Sequence, residues 1–198
     1  MTVAVQPTFE PGRVYRTREF SRWSANPPRL ARRLVRDGQL VQLAHGLYAA
    51  PERSRFGVVP PSDEALMHAF LGGGPFVFTG SERWNALGLG TTAVLARSLV
   101  YNTKRSGRVV LGRREFMLRR VAFPAAPPPE WFVIDLFENA DLAAASVEEI
   151  SASLSAAVRA GRFERDSLLE MSRCFGSRRT QALVRRAVAA RGGKAPAG

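Results

Sequence analysis

Residues 27–51, PPRLARRLVRDGQLVQLAHGLYAAP, decide how the chain begins to fold. Pro27 and Pro28 suit the first turn of a helix, where a missing N–H costs nothing, and Gly38 suits the position just past its end. At about 100° per residue, Leu30, Leu34, Ala31 and Val35 fall within one arc of about 140°. On the same wheel Arg32, Arg36, Arg29 and Arg33 fall between about 200° and 300°, so all four guanidinium groups leave opposite the apolar face. After Gly38, QLVQLAHGLYAAP reads as two short strands around Ala44-His45-Gly46, closed by Pro51.

Upstream, TREFSRW (17–23) predicts a short helix with Thr17 as its cap and Phe20 and Trp23 three apart, and Ser24-Ala25-Asn26-Pro27 breaks it. Helix, turn, helix and hairpin in that order make a winged helix-turn-helix. A basic stripe on the second helix belongs in the DNA major groove, where Arg donates bidentately to guanine or neutralises phosphate. The candidate DNA-contacting residues are therefore Arg29, Arg32, Arg33 and Arg36 on that helix, and Arg16, Arg18, Arg22 and Asn26 before it. Gln42 and His45 in the wing are placed to reach phosphate or the minor groove, while Leu43, Leu47 and Tyr48 are expected to pack on the helices.

The 198 residues carry 29 Lys and Arg against 17 Asp and Glu, a formal net charge of +12, with 45% hydrophobic residues. That composition excludes collagen-like, coiled-coil and wholly disordered chains and leaves one or two globular domains. The charge alternates in blocks: +6 over 1–56, −2 over 57–96, +7 over 97–121, −6 over 122–158 and +7 over 159–198. Only Lys104 and Lys194 are lysines, a bias that codon usage accounts for, whereas the net charge points to a polyanion partner. Cys174 stands alone and the histidines are His45 and His68, so neither an internal disulfide nor a usual zinc site is expected, and no cofactor. With no basic n-region or apolar h-region at the start, a reducing cytoplasm is the expected location. The longest stretch without Lys, Arg, Asp or Glu, 65–81, contains GGGP and falls short of the roughly 20 apolar residues of a membrane span, so no membrane partner is expected.

Beyond Pro51 a loop is expected to Pro61, then a helix from Ser62 to Leu71 with Ser62 as cap, stopped by GGGP. PFVFTG (75–80) predicts a buried strand and SERWNALGL (81–89) a short helix. Three β-rich runs follow between 97 and 123, separated by KRSG and LGRR turns. Helices are expected near 129–139, 146–160, 164–175 and 177–191, with AAPPPE (125–130) as a stiff connector and RGGKAPAG as a frayed tail. The class is α+β: a winged helix-turn-helix over 1–56, then a domain over 57–198 with a β-rich core at 75–123 and C-terminal helices at 129–191.

The run RLARRLVRDGQLVQLAHGLYAAP is similar to the winged helix-turn-helix that opens the AbiEi family of antitoxins from type IV toxin–antitoxin systems. FTGSERWNALGLGTT resembles that family's strand-to-helix element. LVYNTKRSGRVVLGRREFMLRRVAFP resembles its β-rich section, which precedes a helix like PEWFVIDLFEN. The likeness runs from about residue 13 to 140. It implies a bacterial regulator whose first domain binds inverted-repeat operator DNA in its own promoter, and whose second domain neutralises a nucleotidyltransferase toxin without a stable complex. One departure is that residues 2–12, TVAVQPTFEPG, are proline-broken where the family has a full helix.

No catalytic set accompanies these features, and the chain is not expected to be an enzyme. Gly80-Ser81 resembles the start of a nucleotidyltransferase motif, but that chemistry needs an Asp pair about ten residues on to hold Mg²⁺, and no Asp lies between Asp63 and Asp135. The GLG at 88–90 is not a dinucleotide fingerprint. Cys174, beside Met171 and Phe175, is expected to be a buried small hydrophobe, and Asp135 and Glu138 a solvated helix face. The last helix puts Leu183, Val184, Ala187 and Val188 on one arc and Arg178, Arg179, Arg185 and Arg186 on the other. Lys104, Arg105 and Arg108 at the β-rich turn, with Arg185 and Arg186, are the candidates for toxin neutralisation. The rival readings are a non-catalytic RNA-binding or RNP-associated protein, since winged helices and Arg stripes also serve RNA, and an Arg-rich hydrolase, for which no catalytic residues are identifiable.

Overall fold

The structure, a computed structural model, describes residues 7–92 and 94–189; the expected tail RGGKAPAG lies outside them. Strand β1 (Val14–Arg16) leads into a 3-10 helix (Thr17–Arg22), and α1 (Pro27–Arg36) follows the turn. The wing strands are β2 (Val41–Ala44) and β3 (Leu47–Ala49). A second hairpin, β4 (Glu52–Ser54) with β5 (Gly57–Val59), stands where a loop was expected. Its three-residue strands are too short to show an alternating pattern, and both lie exposed. Ser62 caps α2 (Asp63–Phe70), its Oγ accepting from the Ala65 N–H at 3.1 Å.

The chain continues through β6 (Phe76–Thr79), α3 (Ser81–Ala86), β7 (Ser98–Asn102), β8 (Gly107–Leu111) and β9 (Arg114–Arg120). Four helices close it: α4 (Pro129–Glu138), α5 (Val147–Arg159), α6 (Arg165–Phe175) and α7 (Arg178–Ala189). The class is α+β, and β7 to β9 lie where the three β-rich runs were read. Two local expectations change. Arg16 rather than Thr17 occupies the N-cap of the short helix, its N–H donating to Glu19 Oε1 at 2.8 Å, and six residues between a strand and a turn close as 3-10 rather than α. Strand β6 is half-buried apart from Thr79.

Two compact units form, divided otherwise than at residue 56. The first comprises residues up to Phe76 together with Asn102–Leu118. Its antiparallel sheet has the order β1-β3-β2, with Tyr15 opposite Tyr48. Tyr15, Phe20, Leu30, Ala31, Leu34, Leu40, Tyr48 and Ala50 form one buried cluster, and Phe9, Trp23 and Val35 pack on its edge. Each fully buried Leu or Phe there contributes roughly 1.5–3 kcal/mol. Just before β1, Phe9 meets Tyr15 and Trp23 edge-to-face at 5.3 and 5.4 Å, and the Glu10 N–H donates to Tyr15 Oη at 2.9 Å. Helix α2 packs on β1, and the β8–β9 hairpin meets the wing, the Gly112 N–H donating to the Leu43 carbonyl at 2.7 Å. Arg114 is paired with Asp63. These contacts carry α2 and the hairpin into the same unit as the wing.

The second unit comprises Val77–Tyr101 and residues from Arg119 onward. Helix α4 packs against α3, α6 and α7, and α5 against α7. Trp84, Trp131, Ile134, Leu136, Ile150, Leu154, Leu168 and Val184 are buried in it. Cys174, expected inside, is exposed: α6 buries Leu168 and Ser172 four residues apart, and Cys174 sits about 200° round from Ser172. Asp135, expected on a solvated face, is 4% exposed, because α4 is buried along nearly all its length. Among the described residues no helix is long and apolar enough to cross a membrane, and no group of three His, Cys, Asp or Glu is placed to hold a metal ion.

Candidate nucleic-acid interface

The second helix of the helix-turn-helix presents its charge as the wheel requires. Leu30, Ala31 and Leu34 are buried, and Arg29, Arg32, Arg33 and Arg36 are all exposed. Arg36 has a loose ion pair with its neighbour Asp37 at 3.6 Å; among the described residues Arg29, Arg32 and Arg33 have none. Arg29, Arg32, Arg33 and Arg36 line a shallow depression together with Trp23 and Asn26. Three guanidinium groups without carboxylate partners in one groove make a strongly electropositive surface, because no acidic side chain neutralises them locally.

Asn26 acts as a helix cap, its Oδ1 accepting the Arg29 N–H at 3.1 Å at the start of α1. Exposed Arg22 lies over the Trp23 ring at 5.1 Å, which fixes a cation beside the start of α1. In the wing, Gln42 is exposed, its Nε2 donating to the Ala44 carbonyl at 3.3 Å, and His45 is exposed at the turn. Gly46 takes φ +73°, a conformation costly for a side chain, and its carbonyl accepts the Thr17 N–H at 3.0 Å. That bond ties the wing tip to the start of the 3-10 helix. Leu47 and Tyr48 are buried and Leu43 half-buried, as expected of the wing's inner side. Arg18 is exposed and Arg16 half-buried.

The five residues assigned to toxin neutralisation separate into two groups. Lys104, Arg105 and Arg108 belong to the first unit, and Arg185 and Arg186 are exposed on α7 of the second. None of the first three is a loose side chain. Lys104 Nζ donates to the Leu71 carbonyl just past α2, Arg105 lies over the Phe70 ring at 5.0 Å, and Arg108 pairs diagonally across β8–β9 with Glu115 at 2.7 Å. Sequence separation hid these partners.

A buried polar cluster in the second unit carries no sequence signature. Asp135 Oδ2 accepts from the Thr79 hydroxyl and from Trp84 Nε1 at 2.7 Å, and Asp135 Oδ1 accepts from Asn139 Nδ2 at 3.0 Å. Asn139 Nδ2 also lies 2.9 Å from Tyr101 Oη, and Arg119 donates to Asn139 Oδ1 at 2.6 Å. Burial pushes the Asp135 carboxyl above the usual range against the pull of its donors, and burial followed by the Asp135 charge pushes the Tyr101 phenol up. The donors converge on the carboxylate inside the core, an arrangement that fixes α3 to α4 rather than one that offers a reacting group.

The order of strand, short helix, turn, helix and two-stranded wing defines the first unit as a winged helix-turn-helix. Residues 14–51, from the start of β1 to the second residue after the wing, match the family described as transcriptional regulator, AbiEi antitoxin. No curated protein matches the chain. Among solved structures, the chain is similar to the crystal structure of the Rv2827c protein from Mycobacterium tuberculosis, at 14% identity and a TM-score of 0.51, over 92% of this chain and 78% of that one. That likeness is one of fold and extends through both units.

Proposed function

We propose that this chain is an antitoxin-type transcriptional regulator that binds duplex DNA through α1 and the wing and represses its own toxin–antitoxin operon. The observation that carries this reading is the exposed, largely unpaired arginine face of α1, opposite a buried apolar face, within the segment that matches AbiEi regulators. On this reading Arg29, Arg32, Arg33 and Arg36 enter the major groove of an inverted repeat, and Arg22, Gln42 and His45 contact the flanking backbone. Asn26 positions α1 rather than reading a base. Neutralisation of a nucleotidyltransferase toxin, without a stable complex, is the second activity, and the exposed Arg185 and Arg186 of α7 are its candidate surface. Such a regulator acts in the cytoplasm.

Mobility shift with the gene's own upstream DNA and with unrelated DNA, each at two salt concentrations, tests the repressor reading. Preferential, salt-sensitive binding to the upstream repeat is expected, since each phosphate neutralised contributes a slope of about −0.9 in log affinity against log salt. Equal affinity for both DNAs, or none for duplex, refutes it.

A further inference from the structure

Lys104 and Arg105 sit in a turn that the sequence places far from the helix-turn-helix, yet the fold brings them to it. Asn102, fully buried, accepts the N–H groups of Lys104 and Arg105 on its Oδ1, each at 2.9 Å, and its Nδ2 donates to the Arg105 carbonyl at 2.9 Å. The side chain of Arg105 is then laid across Phe70, and Lys104 is bound to the carbonyl of Leu71. The turn is therefore held at both backbone and side chains. Its cation is preorganised.

Arg105 lines a hollow of about 320 Å³ with Arg16, Thr17, Arg18 and His45, floored by Leu47 and Phe70. Every titratable side chain on its wall is basic. On the side of the adjoining hollow Arg16 and Arg18 also meet at Gly72, where φ is +60° and both guanidinium groups end within 3.5 Å of where a Cβ would lie, so a glycine there leaves room for them. Among the described residues Arg16, Arg18 and Arg105 have no ion pair. Of the three carboxylates that line the adjoining hollow, Glu10 and Glu19 are paired to Arg13, and Glu64, at the start of α2, has no ion pair with Arg16 or Arg18. Three like charges gathered without a counter-ion repel one another, and a bound anion relieves that repulsion.

From this convergence we infer that the hollow is a phosphate site for the DNA backbone, built from Arg16, Arg18, Arg105 and His45, and that the β7–β8 turn belongs to the DNA interface rather than to toxin neutralisation. The inference rests on the DNA-binding reading above. Thr17 adds a hydroxyl donor, and the Thr17–Gly46 bond keeps the two rims, the 3-10 helix and the wing tip, at fixed separation. The contact is to phosphate, so it adds affinity on any sequence and selects none.

The test uses the full chain carrying Arg105→Met, which keeps an apolar stem over Phe70, beside Arg173→Met at an exposed position of α6 as a control for the lost charge. Fluorescence anisotropy with upstream and with unrelated duplex is measured from about 0.05 to 0.3 M salt. Arg105→Met is expected to flatten the salt slope by about 0.9 and to weaken both DNAs by about eightfold at 0.1 M, while Arg173→Met leaves the slope unchanged. A folded Arg105→Met protein with the wild-type slope overturns the phosphate site and leaves the repressor reading standing. Loss confined to the upstream sequence also overturns it, since a phosphate contact does not discriminate. Wild-type protein that binds no duplex at all refutes both.

Discussion

Replacing Asp135 removes the acceptor on which three buried donors depend, and the size of the effect follows from which donors remain. In Asp135→Ala the Thr79 hydroxyl, Trp84 Nε1 and the Tyr101 hydroxyl lose their acceptor in a core position 4% exposed, while Asn139 Nδ2 keeps the backbone carbonyl of position 135 and Tyr101 Oη. At about 1–3 kcal/mol for each buried group left unsatisfied, the loss is about 3–5 kcal/mol or more. Asp135→Asn keeps the shape, and its oxygen can still serve Thr79 and Trp84, but its amide then faces the Asn139 amide, donor against donor. One unsatisfied group costs about 1–3 kcal/mol. The pH dependence has a definite sign. Because burial raises the folded-state pKa of Asp135 above its unfolded value near 3.9, folding takes up a proton, and this contribution to stability is full below that value and is lost as pH rises through the folded pKa. The asparagine variant lacks that loss, so its penalty is greatest near pH 4 and shrinks toward pH 8. Urea denaturation followed by tryptophan fluorescence at several pH values measures both. A penalty that grows with pH, or an alanine variant as stable as wild type, refutes the account of the cluster.

Arg29→Ala with Arg33→Ala is expected to weaken operator binding by about 1–3 kcal/mol for each base contact while leaving the melting temperature unchanged, whereas Leu34→Ala is expected to destabilise the first unit by about 2–5 kcal/mol; mobility shift and thermal melts separate them. Asn26→Ala is expected to cost about 0.5–2 kcal/mol of stability through the lost cap and to leave the salt slope of DNA binding as it was; a changed slope would make Asn26 a phosphate contact. Full-length protein with both α1 substitutions, co-expressed with the cognate toxin, is expected to restore growth, and failure of a folded variant to do so would mean that protection comes from repression alone. A 57–198 fragment is expected to melt without cooperativity over α2 and the β8–β9 hairpin, because it lacks β1 and the wing on which they pack; circular dichroism checks this.

The helix-turn-helix was legible because its signals are local. A 3.6-residue period sorts Leu30 and Leu34 from the arginines, and Pro27, Gly38 and Gly46 mark ends and turns within a few residues. The elements of the second half were likewise legible, from Ser62, the KRSG and LGRR turns and the Pro-rich stretch before α4. Long-range pairing was not. Asp135 looked like a surface carboxylate because its donors come from Thr79 and Trp84, 56 and 51 residues away, and Lys104 looked solvated because its acceptor at Leu71 is 33 residues back. Cys174 was misplaced by the company of Met171 and Phe175, a neighbourhood that indicates an apolar stretch without saying which face is turned inward. The boundary at 56 followed the end of the wing motif, and only the contacts of α2 and the β8–β9 hairpin move it.

That boundary governs when the winged half can be finished. The first unit is discontinuous, and a ribosome releases its recognition helix and wing long before the segment ending at Leu118 emerges. Until then α2 lacks the partner for Asp63 and the wing lacks the hairpin turn whose Gly112 meets Leu43. Closing contacts across such separations is slow compared with making a helix or a hairpin. A nascent chain therefore exposes the arginine face of α1 on an incomplete support, and the completed support arrives as a late step of synthesis, after more than half of the polypeptide has been made.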